Sequence, residues 1–170
     1  VPPIILVKEE EMLSKKEARS RLGVPQSAEV WYVQLGAGQI NDIESEIRLT
    51  IDALLERNSD LFIVIGESLL GKRVSFSNER VRILRDYPNA IYFRGFDYSI
   101  QAGGYNSFHE MRSSQIPTIF YPNMNTGMDD QLARCKVAEE EGWGIVIEKR
   151  ETKSIVQAIR EIVNIDANIK

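Results

Sequence analysis

Cysteine and histidine are almost absent from this chain, with Cys135 and His109 the single residues of each type. One cysteine excludes a disulfide framework and is typical of a protein kept in a reducing compartment. One cysteine and one histidine also cannot build a zinc site, so we expect no metal centre. These scarcities favour a cytoplasmic protein.

A strong charge imbalance and long apolar runs are missing as well. The net charge is −4 at pH 7, which gives no indication of binding to nucleic acid or to an anionic membrane. No apolar run approaches membrane-spanning length, and no signal-peptide pattern is present. We therefore expect no nucleic-acid partner and no direct membrane span.

The 170 residues suffice for one well-filled α/β domain and are too few for two of ordinary size. Because the first residue is valine rather than methionine, we expect a piece of a longer protein. Residues 1–28 are interpreted as a linker and a capping helix, in which Ser14 and Glu17 form a capping box and Gly23 ends the helix. Residues 29–170 then form a single domain.

Strands and helices alternate strictly along that domain. Ala90 to Phe93 has strand propensity, but too few residues separate it from the next strand for a parallel crossover, so we predict a helix over Pro88 to Phe96. The predicted strands are Val30–Leu35, Leu61–Ile65, Arg80–Leu84, Tyr98–Gln101, Pro117–Tyr121 and Gly144–Ile147. This pattern predicts a Rossmann-like, doubly wound α/β fold, with six parallel strands in the order 3-2-1-4-5-6 and helices on both faces.

Two glycine turns follow the first and fourth predicted strands. They are Gly36-Ala37-Gly38 and Gly103-Gly104, and Asn106 and Ser107 follow the second turn at a helix start. In the predicted order both turns lie at the topological switch point, where open α/β sheets bind ligands. Such a turn lets backbone N–H groups approach an anion, so the coincidence predicts a phosphate site, although each turn alone could be structural. Neither turn carries a Walker lysine, which favours a bound diphosphate over a hydrolysed one.

Two titratable side chains follow on the same helix. Glu110 lies three residues after Ser107 on the same helix face, where a carboxylate can accept both hydroxyls of a ribose. A solvated surface charge is the alternative for Glu110. His109 could act as a general base, but a packed or exposed structural histidine is the simpler interpretation.

Polar residues also begin the helix after the fifth strand, at the same end of the sheet. Asp129 is explained by helix capping alone. Asp130 and Gln131 are candidates for hydrogen bonds to sugar hydroxyls, because capping does not explain Gln131.

Three motifs together resemble a known family. They are Gly-Tyr-Asn-Ser-x-x-Glu at 104–110, Pro-Thr-Ile-Phe-Tyr-Pro-Asn at 117–123 and Asp-Asp-Gln-x-x-Arg at 129–134. Their order resembles the C-terminal, donor-binding domain of GT-B glycosyltransferases, most closely the MurG-like group that transfers N-acetylglucosamine from a UDP donor. The plant glycosyltransferase signature is also similar around 104–110 and 130–131, but it has a histidine where this chain has Ala102.

The resemblance implies a donor half-site for a UDP-sugar co-substrate, with no metal required. The diphosphate would lie near Gly36 to Gly38, Asn106 and Ser107, and the base near Arg85 to Tyr87. Glu110 would bind the ribose, and Asp130 with Gln131 the sugar. In such enzymes the acceptor site and the catalytic base belong to an N-terminal domain. We therefore expect a missing domain or partner subunit, no catalytic residue here, little activity of the isolated chain, and cytoplasmic or peripheral membrane location of the full-length protein.

Two other functions remain open at this point. A nucleotide-sugar epimerase or hydrolase half-domain would share the fold, and release of free sugar would reveal it. A non-catalytic nucleotide-binding module would keep the glycine turns as structural relics.

Overall fold

The computed structural model describes residues 7–35, 40–66, 78–86, 88–122, 130–149 and 151–169. Its sheet has six strands, all parallel, in the order β3-β2-β1-β4-β5-β6. This confirms the predicted order. The strands are β1 (Val30–Gln34), β2 (Phe62–Gly66), β3 (Val81–Leu84), β4 (Tyr98–Gln101), β5 (Thr118–Phe120) and β6 (Gly144–Val146).

Helices lie between the strands in all the described connections, and residues 67–77 between β2 and β3 lie outside the described residues. The helices are α1 (Lys15–Leu22), α2 (Ile40–Arg57), α3 (Tyr105–Ser114), α4 (Gln131–Glu141) and α5 (Thr152–Ile169). Glu9–Glu11 forms a 3₁₀ turn, and Asn89–Gly95 forms a longer 3₁₀ helix, here called the crossover segment. No helix in these described ranges is long and apolar enough to cross a membrane.

The crossover segment confirms that connectivity outweighs strand propensity between β3 and β4. Pro88 precedes the segment with extended backbone, and the segment's own side chains Ala90, Tyr92 and Phe93 are buried. The segment is 3₁₀ rather than α. Its apolar side chains pack on the sheet. Residues with strand propensity are therefore buried from a helical backbone, and no strand is needed to bury them.

Side chains of the strands alternate between two apolar layers, which explains why the strands read as nearly continuous apolar runs. On one face, Trp31, Val33 and Ile63 pack with residues of α2 and α5. On the other face, Val30 and Tyr32 pack with α1, the crossover segment and α3. Helices therefore cover both faces, as predicted.

Helix α1 forms as its capping pattern predicts. The Ser14 hydroxyl accepts a hydrogen bond from the Glu17 backbone N–H (3.1 Å), and Gly23 ends the helix in the left-handed region (φ 71°). Both ends of the helix are thus specified locally by single residues.

A buried arginine ties α1 to the sheet. The side chain of Arg19 is 1% exposed and pairs with Asp97 across 3.0 Å. Asp97 also accepts a hydrogen bond from the Val30 N–H at the start of β1 (2.9 Å). The guanidinium donates further hydrogen bonds to the carbonyl oxygens of Gly95, Pro25, Gln26 and Ala28. One side chain therefore joins α1, β1 and the crossover segment.

We expect Arg19→Met to lower the free energy of unfolding by about 3–5 kcal/mol, because it leaves Asp97 without its cation and several carbonyls without a donor. Urea denaturation measures this loss. The control is Arg160→Met on the exposed side of α5, for which the change should stay within about 0.5 kcal/mol. Equal losses in the two variants would contradict this role of Arg19.

Candidate functional site

The site lies where β1 and β4 run side by side. Their ends are in register, with Gln34 opposite Gln101. The chain leaves β1 toward α2 on one face of the sheet and leaves β4 toward α3 on the other. This divergence opens a crevice at the carboxyl ends of the strands. Gly36, Ala37 and Gly38 follow β1 but lie outside the described residues.

The two glycines after β4 serve different purposes. Gly103 has a φ of 89°, and a Cβ there would collide with the Cys135 sulfur of α4. Gly104 is the N-cap of α3 with a φ of −57°, and a Cβ there would meet no atom of the described residues within 4 Å. A side chain at position 103 would therefore be strained, whereas no described residue occupies the space beside Gly104.

The first turn of α3 faces this open space. Asn106 is exposed and Ser107 is partly exposed, and the first turn contains no acidic side chain. The N-cap residue offers no side-chain acceptor to the backbone N–H groups of that turn. The helix therefore presents its positive end where an anion can approach.

Glu110 is a partly buried carboxylate one turn further along α3. Burial raises the pKa of the Glu110 carboxyl above its usual value. Within the described residues, this carboxylate accepts no hydrogen bond and forms no ion pair. An ionised group that lacks a partner in such a place costs folding free energy, which is typical of a ligand-binding residue.

A cleft of about 730 Å³ opens beside Glu110. Residues 7–12 form one wall, the crossover segment a second, and the second half of α3 a third. Phe93 and Arg94 line it, and Arg94 lies near the Glu9 carboxylate (3.6 Å). Sequence reasoning missed these two residues, because no local motif indicates that the crossover segment packs beside α3.

Asp130 has a structural role that the sequence analysis assigned to its neighbour. Its carboxylate accepts a hydrogen bond from the Ala133 N–H (3.0 Å) and so caps α4, which begins at Gln131. Asp129 lies outside the described residues. Capping uses one carboxylate oxygen of Asp130, so the residue can still offer the other to a ligand.

Arg134, also missed as a site residue, brings α4 to the turn after β4. Its guanidinium donates a hydrogen bond to the Gly103 carbonyl oxygen (2.8 Å) and lies over the Tyr105 ring, 5.2 Å from the centroid. This contact places the start of α4, with Asp130 and Gln131, beside the start of α3. The arginine of the motif at 129–134 was the available signal.

His109 packs against aromatic rings, with centroid distances of 4.6 Å to Tyr105 and 5.2 Å to Phe108. Desolvation and the neighbouring Arg112 and Arg134 lower the pKa of His109. The imidazole is therefore neutral at pH 7. These contacts agree with the structural interpretation of this histidine.

The base-binding candidates lie further from α3. Arg85 is exposed and directly follows β3, two strands from β1, a lateral distance of about 10 Å. Tyr87 lies outside the described residues. The intervening Asp86 accepts a hydrogen bond from the Tyr92 hydroxyl (2.6 Å), which ties this segment to the crossover segment. Among the described residues, no cluster of three potential metal ligands occurs.

Comparison with solved structures identifies the fold. The chain superposes on the glycotransferase of kitacinnamycin with a TM-score of 0.71 and 16% identity, covering 98% of this chain and 40% of that one. The chain has the Rossmann-like fold of one half of a GT-B glycosyltransferase. No protein-family model and no curated protein sequence matches it.

Two further solved structures that the chain resembles contain bound nucleotides. The spinosyn rhamnosyltransferase SpnG, complexed with thymidine diphosphate, has a TM-score of 0.63 and 18% identity over 81% of this chain and 38% of its own. Os79 from O. sativa, in complex with UDP, has a TM-score of 0.63 and 17% identity over 82% of this chain and 33% of its own. This chain thus spans only about 40% or less of the length of each of these three proteins.

Glu110→Gln should stabilise the GT-B half at pH 7. The pKa of Glu110 is higher in the folded than in the unfolded state, so the folded protein keeps the Glu110 proton to higher pH. The free energy of unfolding of the wild type therefore falls as pH rises from the unfolded-state pKa through the folded-state pKa. Melting temperatures at pH 7 and at about pH 4, below the ordinary glutamate pKa, measure this. The variant should exceed wild type at pH 7 and match it at the lower pH.

The matched control for this measurement is Glu140→Gln, on the exposed side of α4. It should give no gain at either pH. A loss of stability in Glu110→Gln at pH 7 would show that the carboxylate is a structural partner rather than an unpaired group.

Proposed function

We propose that this chain binds the nucleotide-sugar donor of a glycosyltransferase, as the C-terminal half of a GT-B enzyme. The observation that carries the proposal is the Glu110 carboxylate, partly buried and without a hydrogen bond to any described residue. A ribose would supply the two hydroxyl donors that this carboxylate lacks. Its position one turn after an open helix start fits a ribose joined to a diphosphate.

The diphosphate would lie beside Gly104, Asn106 and Ser107. The N–H groups of the first turn of α3 and the positive end of the helix would balance its charge without a metal. Gly36, Ala37 and Gly38 would approach it from the end of β1. The base would contact the segment from Arg85 to Tyr87.

The donor in this proposal is a UDP-sugar, with a hexosyl group transferred as in the MurG-like group. A TDP-sugar is the second candidate, because one structural neighbour is described with thymidine diphosphate and another with UDP. The sugar would hydrogen-bond with Asp130 and Gln131. The neutral, packed His109 is not assigned a catalytic role.

The acceptor site and the catalytic base would come from an N-terminal domain or a partner subunit, because the chain covers only 40% of a structural neighbour. The isolated chain would then bind donor and transfer little. A cytoplasmic location, or peripheral association with a membrane, is part of the same proposal. Cys135, the single cysteine of the sequence, fits a reducing compartment.

Calorimetric titration with UDP, TDP, UDP-N-acetylglucosamine and UDP-glucose, in the presence of EDTA, tests the proposal. The decisive variant is Gly104→Ala, which should fold with near wild-type stability because its φ and the open space allow a Cβ. It should nevertheless weaken nucleotide binding by about tenfold or more, since the methyl group occupies the space proposed for the diphosphate.

Gly103→Ala is the matched control, because it clashes with Cys135 and should unfold the protein rather than block the ligand. Unchanged nucleotide affinity in Gly104→Ala would contradict the diphosphate position. Absence of binding to every compound by the wild-type chain would contradict the proposed function itself.

Substitutions of Asp130 separate its capping role from sugar binding. Asp130→Ser keeps an N-cap acceptor and should retain stability, whereas Asp130→Ala should lose about 1 kcal/mol. Both variants should bind UDP as wild type does and lose any preference between the two UDP-sugars. Differential scanning calorimetry and titration measure the two effects. A UDP-sugar preference that survives in Asp130→Ser would remove this residue from the sugar site.

A further inference from the structure

The hydroxyl of Tyr32 lies at a junction of three segments of the proposed donor site. It is fully buried, accepts a hydrogen bond from Asn89 Nδ2 (2.9 Å) and donates one to Gln34 Oε1 (3.0 Å). Asn89 begins the crossover segment two residues after Tyr87, the last of the proposed base-binding residues. Gln34 ends β1 two residues before Gly36, the start of the first glycine turn. A single hydroxyl thus connects these two segments across the crevice.

The position of this hydroxyl is tightly defined. The Tyr32 ring stacks on Phe96 with a centroid distance of 4.7 Å and an interplanar angle of 6°, and Phe93 packs against it at 5.4 Å. A Cβ at Gly66 of β2 would lie 2.5 Å from the Tyr32 oxygen and 2.9 Å from Asn89 Nδ2. Only a glycine on the neighbouring strand leaves room for this pair of hydrogen-bonded groups.

The third segment is α3. Burial raises the pKa of Tyr32, the hydrogen bond from Asn89 opposes that effect, and the charge of Glu110 adds to the rise. The Tyr32 hydroxyl therefore stays protonated at any physiological pH and remains a donor to Gln34. Because its charge contributes to this rise, the Glu110 carboxylate lies near enough to interact electrostatically with the Tyr32 hydroxyl.

We propose that Tyr32 is a positioning residue of the donor site, whose hydroxyl fixes the base-binding segment relative to the end of β1. This inference rests on the proposed function. An apolar side chain would fill the same space in a buried layer, so the polar network serves to select one arrangement of these segments. Tyr32 touches no ligand in this scheme and acts through Asn89.

Removal of the hydroxyl in Tyr32→Phe tests the inference by nucleotide affinity. We expect UDP, or TDP if it binds more tightly, to bind about tenfold more weakly, because the base-binding segment loses its fixed position. Affinity for inorganic pyrophosphate, measured by competition with the nucleotide, should change less than about twofold, because pyrophosphate contacts no base-binding residue. Loss of stability alone would weaken both ligands alike.

Two further variants complete the test. Thr118→Val removes a fully buried hydroxyl of β5, which donates to the Ile116 carbonyl oxygen (2.8 Å), and should leave nucleotide affinity unchanged. Asn89→Ala should weaken nucleotide binding as Tyr32→Phe does. The double variant Tyr32→Phe/Asn89→Ala should be no weaker than the single variants, because both remove one connection.

The outcomes separate the inference from the function on which it rests. Wild-type nucleotide affinity in Tyr32→Phe, additive losses in the double variant, or equal losses for nucleotide and pyrophosphate would each overturn the role of Tyr32 while leaving the donor site intact. A wild-type chain that binds no nucleotide would overturn both.

Discussion

The parallel pairing of β1 with β4 is the constraint on which the rest of the structure depends. The chain after β1 leads to α2 on one face of the sheet and the chain after β4 leads to α3 on the other face, so a crevice forms between the carboxyl ends of the two strands. The start of α3 follows β4 there, and Asn89 of the crossover segment is linked to the end of β1 through the Tyr32 hydroxyl. The candidate site is therefore a product of chain topology, which the individual side chains then refine.

At this crevice, some residues are constrained by packing, whereas residues next to them are accessible to a ligand. Gly103 is confined by Cys135, whereas no described residue lies close to the position of a Cβ on Gly104. Phe108 is buried in the layer between α3 and α4, whereas Glu110 on the same helix is a partly buried carboxylate that no described residue pairs with. A helix that both packs and binds must alternate these demands along its length, and α3 does so within its first two turns.

Connectivity and local patterns sufficed to predict most of the fold. The crossover segment is an instance, because the short spacing before β4 excluded a strand that propensity favoured. Contacts between distant residues could not be predicted in the same way. Neither the approach of Arg134 to Gly103 nor the bond from Asn89 to Tyr32 leaves a local pattern. Adjacent aspartates were equally ambiguous, since either Asp129 or Asp130 could cap α4 until the helix start was known.

The Arg19 cluster also determines where a folding unit can begin. A polypeptide that begins at residue 29 would retain Asp97 and the carbonyl of Gly95 but would lose the Arg19 guanidinium that contacts both. Helix α1 is therefore inseparable from the sheet, even though it precedes the first strand. Bending of the chain between α1 and β1 would break a buried ion pair, so α1 and the sheet move as one body.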